Sequence, residues 1–202
     1  MKRKAFIWSL AAWLVITFVN YYYMPYFLIF LEYLIIIFSL LILTIVLIVR
    51  LAQNRQRTLR QTTILISAIF TLFLITFFTE PVNSLIEKAD WKILYNTRME
   101  IVEDVKQEKL RPNVSRNGVV CELPYEFPVV SNGGNDILIS KNDSTNEVTV
   151  TFWVFRNFFS APSTHLIYTN RPEDIDHYSK LIERDPINNW KIEENWFRTF
   201  TE

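Results

Sequence analysis

Residues 26–49 read YFLIFLEYLIIIFSLLILTIVLIV, with Glu32 the single charged side chain. A helix crosses the roughly 30 Å hydrocarbon core of a bilayer with about 20 mainly apolar residues. Two further runs flank this one, from Ala5 to Tyr22 and from Thr62 to Phe78. Lipid offers no water to backbone N–H and C=O groups, so each run is expected to satisfy them internally as a helix. The expectation is therefore a membrane domain over 1–79, with three transmembrane helices at about 5–22, 26–49 and 62–78.

The flanks of these runs set an orientation. Lys2, Arg3, Lys4 and the linker arginines Arg50, Arg55, Arg57 and Arg60 carry seven positive charges. The connection from Asn20 to Tyr26 carries no charge, and tyrosines occupy positions 21, 22, 23 and 26. Positive flanks stay in the cytoplasm and tyrosines collect at the interface. This predicts a cytoplasmic N-terminus and arginine linker, an aromatic belt at the outer surface, and an exit of the third helix away from the cytoplasm. Localisation in a bacterial-type inner (plasma) membrane follows, with the lipid bilayer as first partner. The first run also resembles a signal peptide, but the bulky Ile16-Thr17-Phe18-Val19 offers no small-x-small cleavage site, so an uncleaved helix is expected.

Glu32 is the one ionisable group inside a span, about 9 Å from the outer end of its helix. Such an acid is a functional candidate, serving a proton, an ion or a partner helix. The opposing reading is a carboxylate tolerated near the headgroups. No titratable residue accompanies it in the inner half of any span.

From Glu80 the texture changes. Residues 80–202 hold 20 acidic and 14 basic residues, so this part is water-soluble and net acidic. It is long enough for one modest core. The expected fold class is α+β on an antiparallel sheet, outside the cytoplasm and able to fold alone from about residue 81. Thr79-Glu80-Pro81 opens a helix. Apolar residues at helical spacing carry it from about 81 to 110, with a possible break at the polar Asn96-Thr97-Arg98. Strands follow at Gly118 to Leu123, Ile137 to Ser140, Val148 to Phe155 and Thr164 to Thr169. The alternation of Val148, Val150, Phe152 and Val154 marks the third of these as central, paired on both sides. Arg171-Pro172 opens a short helix with Ile175, Tyr178, Leu181 and Ile182 on one face. Trp190 to Glu193 and Trp196 to Phe200 flank Glu194-Asn195 as a tight hairpin.

Motifs for chemistry are sparse. One cysteine excludes an internal disulfide, and Cys121 reads as a small buried hydrophobe on a strand. Gly133-Gly134 lacks the Lys-Ser/Thr of a phosphate loop and reads as a turn. Two distant histidines give no zinc spacing. Glu173, Asp174 and Asp176 lack the remaining ligands of a calcium loop. A hydrolytic set of Ser160 or Ser163, His165 and Asp174 or Asp176 has no nucleophile elbow, and His165 reads as a half-exposed strand residue. No catalytic, cofactor-binding or metal-binding residue is therefore assigned, and no cofactor is expected. The acidic outer part speaks against nucleic acid.

Aromatic residues crowd the C-terminal half. Partner sites use exposed aromatics, which makes Trp153, Phe155, Phe158, Phe159, Trp190 and Trp196 the candidate partner surface. The leading expectation is a non-enzymatic membrane-anchored protein whose outer domain binds a protein partner: an envelope component, a membrane-complex subunit, or a toxin that it neutralises. The alternative is a small-ligand sensor or transport accessory, its outer domain coupled to the membrane helices through Glu32.

Overall fold

The computed structural model describes residues 79–142, 145–156 and 162–201, together with Val15, Phe18, Tyr21, Tyr22, Leu34 and Phe38. Those six are helical. The rest of the three apolar runs, including Glu32, lies outside the described residues, among which no helix is long and apolar enough to cross a membrane. The chain divides into two compact units, Met1–Tyr26 with Asp90–Glu202, and Phe27–Ala89.

Helix α1 spans Thr79–Lys106 without interruption. The polar triplet at 96–98 does not break it, because Arg98 turns inward and is buried. The helix stops four residues short of the expected end. Glu108 adopts a left-handed φ of 62°, and the following amides of Lys109 and Leu110 return to Asp104 O at 2.8 and 3.2 Å. That geometry satisfies last-turn carbonyls in the manner of a helix C-cap, with glutamate where glycine is usual.

Six strands form one antiparallel sheet: β1 (Val120–Glu122), β2 (Asp136–Lys141), β3 (Val148–Phe155), β4 (Ser163–Thr169), β5 (Trp190–Glu193) and β6 (Trp196–Thr201), in the order β1-β2-β3-β4-β6-β5. Helix α2 (Pro172–Arg184) connects β4 to the final hairpin. The part from residue 79 onward is thus α+β, with two helices and an antiparallel sheet among the described residues. β3 is central, between β2 and β4. The hairpin joins the same sheet through β6, with Tyr168 opposite Trp196 and Thr164 opposite Phe200.

Period-2 side chains give the sheet two different faces. One face presents Cys121, Ile137, Val150, Phe152, Leu166 and Trp196 to a core shared with Ile101, Val102 and Val105 of α1. Each such aliphatic burial contributes about 1.5–3 kcal/mol. On the other face, Tyr178 of α2 lies 5.4 Å from the Phe197 ring, and Asp174 accepts a hydrogen bond from the Thr149 hydroxyl. Every residue of β4 is consequently buried.

The two sheet edges are handled differently. Outside β1, the Asn113 side chain donates to Glu122 O and accepts from Glu122 N, both at 2.8 Å, so a loop closes that edge. The β5 edge is four residues long and carries exposed Lys191 and Glu193. Short charged edges discourage pairing with another chain.

Candidate functional site

Asp90 and Arg98 lie eight residues apart on α1, on the stripe that also carries Leu94, Ile101 and Val105. The side chains are 3% and 2% exposed, respectively, and Arg98 Nη2 donates to Asp90 Oδ2 at 2.6 Å. Arg98 Nε donates to Val130 O at 3.0 Å. The guanidinium stands 6.0 Å from the Phe152 ring centroid. Its Nη1 is buried without a hydrogen-bond partner. The pair is therefore almost, but not completely, compensated for its loss of water.

The second oxygen of Asp90 is taken from outside the sheet and α1. Tyr22 Oη donates to Asp90 Oδ1 at 2.8 Å. Two backbone carbonyls of this helical segment are met by the loop before β2. Asn132 Nδ2 donates to Tyr21 O at 2.9 Å and to Val154 O at 2.6 Å. Gly133 N donates to Tyr22 O at 3.1 Å. Gly133 holds φ at 83°, where an L side chain is strained. Phe18 stacks on Tyr22 at 5.6 Å, and Tyr21 packs against the domain core.

Asn135 organises this loop. At a left-handed φ of 57°, its Oδ1 accepts from Val130 N and Ser131 N at 2.8 and 3.2 Å. Its Nδ2 donates to Tyr125 O and Pro128 O at 3.1 and 2.9 Å. One buried side chain thus holds 125–131 in the shape that offers Val130 O to Arg98 and Gly133 N to Tyr22.

The sequence singled out other positions, and the structure distributes them differently. Trp196 is a core residue, 1% exposed, among Trp91, Tyr168 and Phe152 at 5.0, 5.4 and 5.9 Å; it is not a surface aromatic. Its position directly across from Tyr168 puts it on the α1 face. Trp190 is 38% exposed and stacks under the Arg198 guanidinium at 4.3 Å. Trp153 and Phe155 are half-buried on β3. Trp190 pairs with Arg198, Arg198 with Leu166 and Leu166 with Phe152, so Trp190 shares the Phe152 face while Trp153 occupies the opposite one. These aromatics do not form one patch. Phe158 and Phe159 lie outside the described residues.

His165 is not half-exposed but 7% exposed. Its ring packs on Trp153 at 4.4 Å, and burial pulls its pKa down to about 4. The acids suggested for a hydrolytic set are engaged elsewhere, Asp174 with Thr149 and Asp176 with Lys180 at 2.6 Å. Ser160 lies outside the described residues. Among the described residues no group of three His, Cys, Asp or Glu side chains is placed to hold a metal ion. Cys121 is buried on β1, as its apolar setting suggests, and burial pushes its thiol pKa up.

The residues that sequence reasoning missed are Tyr22, Asp90, Arg98 and Asn132. A signal was present for two of them: an aspartate and an arginine bracketing Leu94 on an apolar helical stripe implies a buried pair. Tyr22 and Asn132 gave none, since their contacts close 68 and 111 residues of chain. No protein-family model, no curated protein and no solved structure matches this chain.

Proposed function

We propose that this is a membrane-anchored, non-enzymatic protein whose C-terminal domain stands outside the cytoplasm and binds a protein partner. The observation that carries the reading is the capture of Tyr21 and Tyr22 by Asp90, Asn132 and Gly133. That capture supports a topology with the end of the first apolar run and the C-terminal domain on one side of the bilayer. Three spans at 5–22, 26–49 and 62–78 satisfy that requirement; two or four would not. The positive flanks favour the outer side. A reporter active only outside the cytoplasm, fused after Glu202, is expected to work, and the same reporter placed between Arg55 and Arg60 is expected to fail. The reverse pattern overturns the reading.

For the partner surface, geometry favours Trp190 with Arg198 and Ile187, which is 83% exposed. Arg198 Nη1 donates to Asn188 O beside Ile187, so the group is held in place. Aromatic and arginine side chains dominate binding hot spots. Cross-linking in membranes should recover a stoichiometric protein with the native chain and lose it with Trp190→Ala.

The Tyr22 junction favours a second reading as well, a sensor or transport accessory that couples the outer domain to the spans. In that case Glu32→Gln abolishes activity at normal protein level. Under the leading reading the same substitution is silent.

A further inference from the structure

The turn that captures Tyr22 also fixes a neighbouring loop that ends in an uncovered aromatic. Pro124-Tyr125-Glu126-Phe127-Pro128 leaves β1, and Phe127 is 81% exposed. Its flanks are not free. Asn135 Nδ2 bonds Tyr125 O on one side of Phe127 and Pro128 O on the other. Asn135 lies two residues from Gly133, whose N–H bonds Tyr22 O. At 3.8 Å between successive Cα atoms, this chain of contacts keeps Phe127 on the order of 20 Å or less from the end of the first apolar run. Val130 O, in the same loop, anchors Arg98. Phe127 therefore sits on a loop held by hydrogen bonds on both of its sides, within that distance of Tyr22.

We infer that Phe127 dips into the bilayer interface, so that the domain touches the membrane at a second point beside its spans. The inference rests on the membrane-anchored reading above. Three observations select lipid as occupant. The loop is tied by hydrogen bonds to Tyr21 and Tyr22 of the first apolar run, in which Val15 and Phe18 are themselves exposed apolar residues. A phenylalanine ring whose backbone is held in place loses little freedom on insertion and can bury at the boundary between headgroups and acyl chains. Glu126 is exposed beside it, and a carboxylate there stays at headgroup level while the ring goes deeper, which limits penetration to the interface.

The test uses the full chain in nanodiscs of phosphatidylcholine with brominated acyl chains. A polarity-sensitive fluorophore is attached to a cysteine at position 15, 126, 127 or 187, one at a time. Cys121 is 1% exposed, and the unsubstituted chain sets the labelling background. Phe127 and Ile187 are almost equally exposed, at 81% and 83%, so exposure alone predicts equal signals. The inference expects quenching at 127 to exceed that at 187 by at least about twofold, with 126 intermediate and 15 strongest. Quenching at 15 with 127 no different from 187 overturns the inference and leaves the anchor standing; a protein partner on this loop gives that same result. Absence of quenching at 15 overturns the membrane reading and this inference together.

Discussion

Replacing Asp90 with alanine should be among the most damaging single changes in the domain. Arg98 would keep its bond to Val130 O at 3.0 Å but lose the carboxylate at 2.6 Å, and its Nη1 already has no partner. An uncompensated cation at 2% exposure costs about 3–5 kcal/mol. Tyr22 Oη and its bond to Asp90 would be stranded as well, adding about 1–2 kcal/mol for a half-buried hydroxyl. The double change Asp90→Leu with Arg98→Met removes both charges and refills the space, so most of that loss should return; hydrophobic replacement of a buried pair is often neutral or stabilising. The assay is thermal unfolding of the full chain in detergent, where each kcal/mol shifts the midpoint by roughly 2–4 °C for a chain of this size. Asp90→Ala should fall by about 10 °C or more, and the double variant by much less. Equal losses in both would refute the reasoning, because the site would then owe its stability to contacts other than the pairing of charge. A silent Asp90→Ala would mean that water reaches Arg98.

Three further outcomes are expected. His165, neutral in the folded state because burial lowers its pKa to about 4, binds its proton in the unfolded chain near pH 6.5, so acidification from 6.5 towards 4 favours unfolding by up to about 3 kcal/mol; comparison of denaturant midpoints at pH 7.5 and 4.5 should show a smaller drop for His165→Gln than for the native chain. Asn135→Ala and Asn135→Gly both lose the four side-chain bonds to the 125–131 loop, but only alanine opposes the left-handed backbone at φ 57°, so alanine should melt lower by about 1 kcal/mol; equal melting would show that the backbone relaxes. A fragment of residues 81–202 should fold cooperatively yet unfold at lower denaturant than the full chain, since Asp90, Asn132 and Gly133 lose Tyr21 and Tyr22; identical midpoints would show that this junction contributes nothing.

Much of the sheet can be read from local pattern. The alternation from Val148 to Phe155 gives the bounds of β3 to the residue, although its pairing with β4 shifts register between Trp153 and Phe155. The half-buried face of α2, Ile175, Tyr178, Leu181 and Ile182, is likewise visible at helical spacing. What pattern could not show is which way a polar or aromatic residue turns when its partner is distant. Arg98 looks like a solvated break until Asp90 and Val130 O are set beside it. Trp196 looks like surface until the register with Tyr168 places it under α1. The Trp190 to Thr201 hairpin is legible as a hairpin, but its place beside β4 depends on the crossover through α2. The early stop of α1 turns on one backbone angle at Glu108 that a glutamate rarely adopts.

The grip on Tyr22 has a consequence for the order of assembly. Its donors and acceptors are made long after Tyr22 itself: Asp90 follows by 68 residues, and Asn132 follows Tyr21 by 111. The first apolar run must therefore wait, without its cap, until β2 and its preceding loop exist. β2, β3 and β4 are joined by short connections and can form early, whereas closing a loop of this length carries a larger entropic cost. The clasp forms last, and by the same reasoning it is the first contact to open in the native ensemble. Amide protection at Gly133 should accordingly be lost sooner than at Val150 in the centre of the sheet, with the two elements parting while each stays folded.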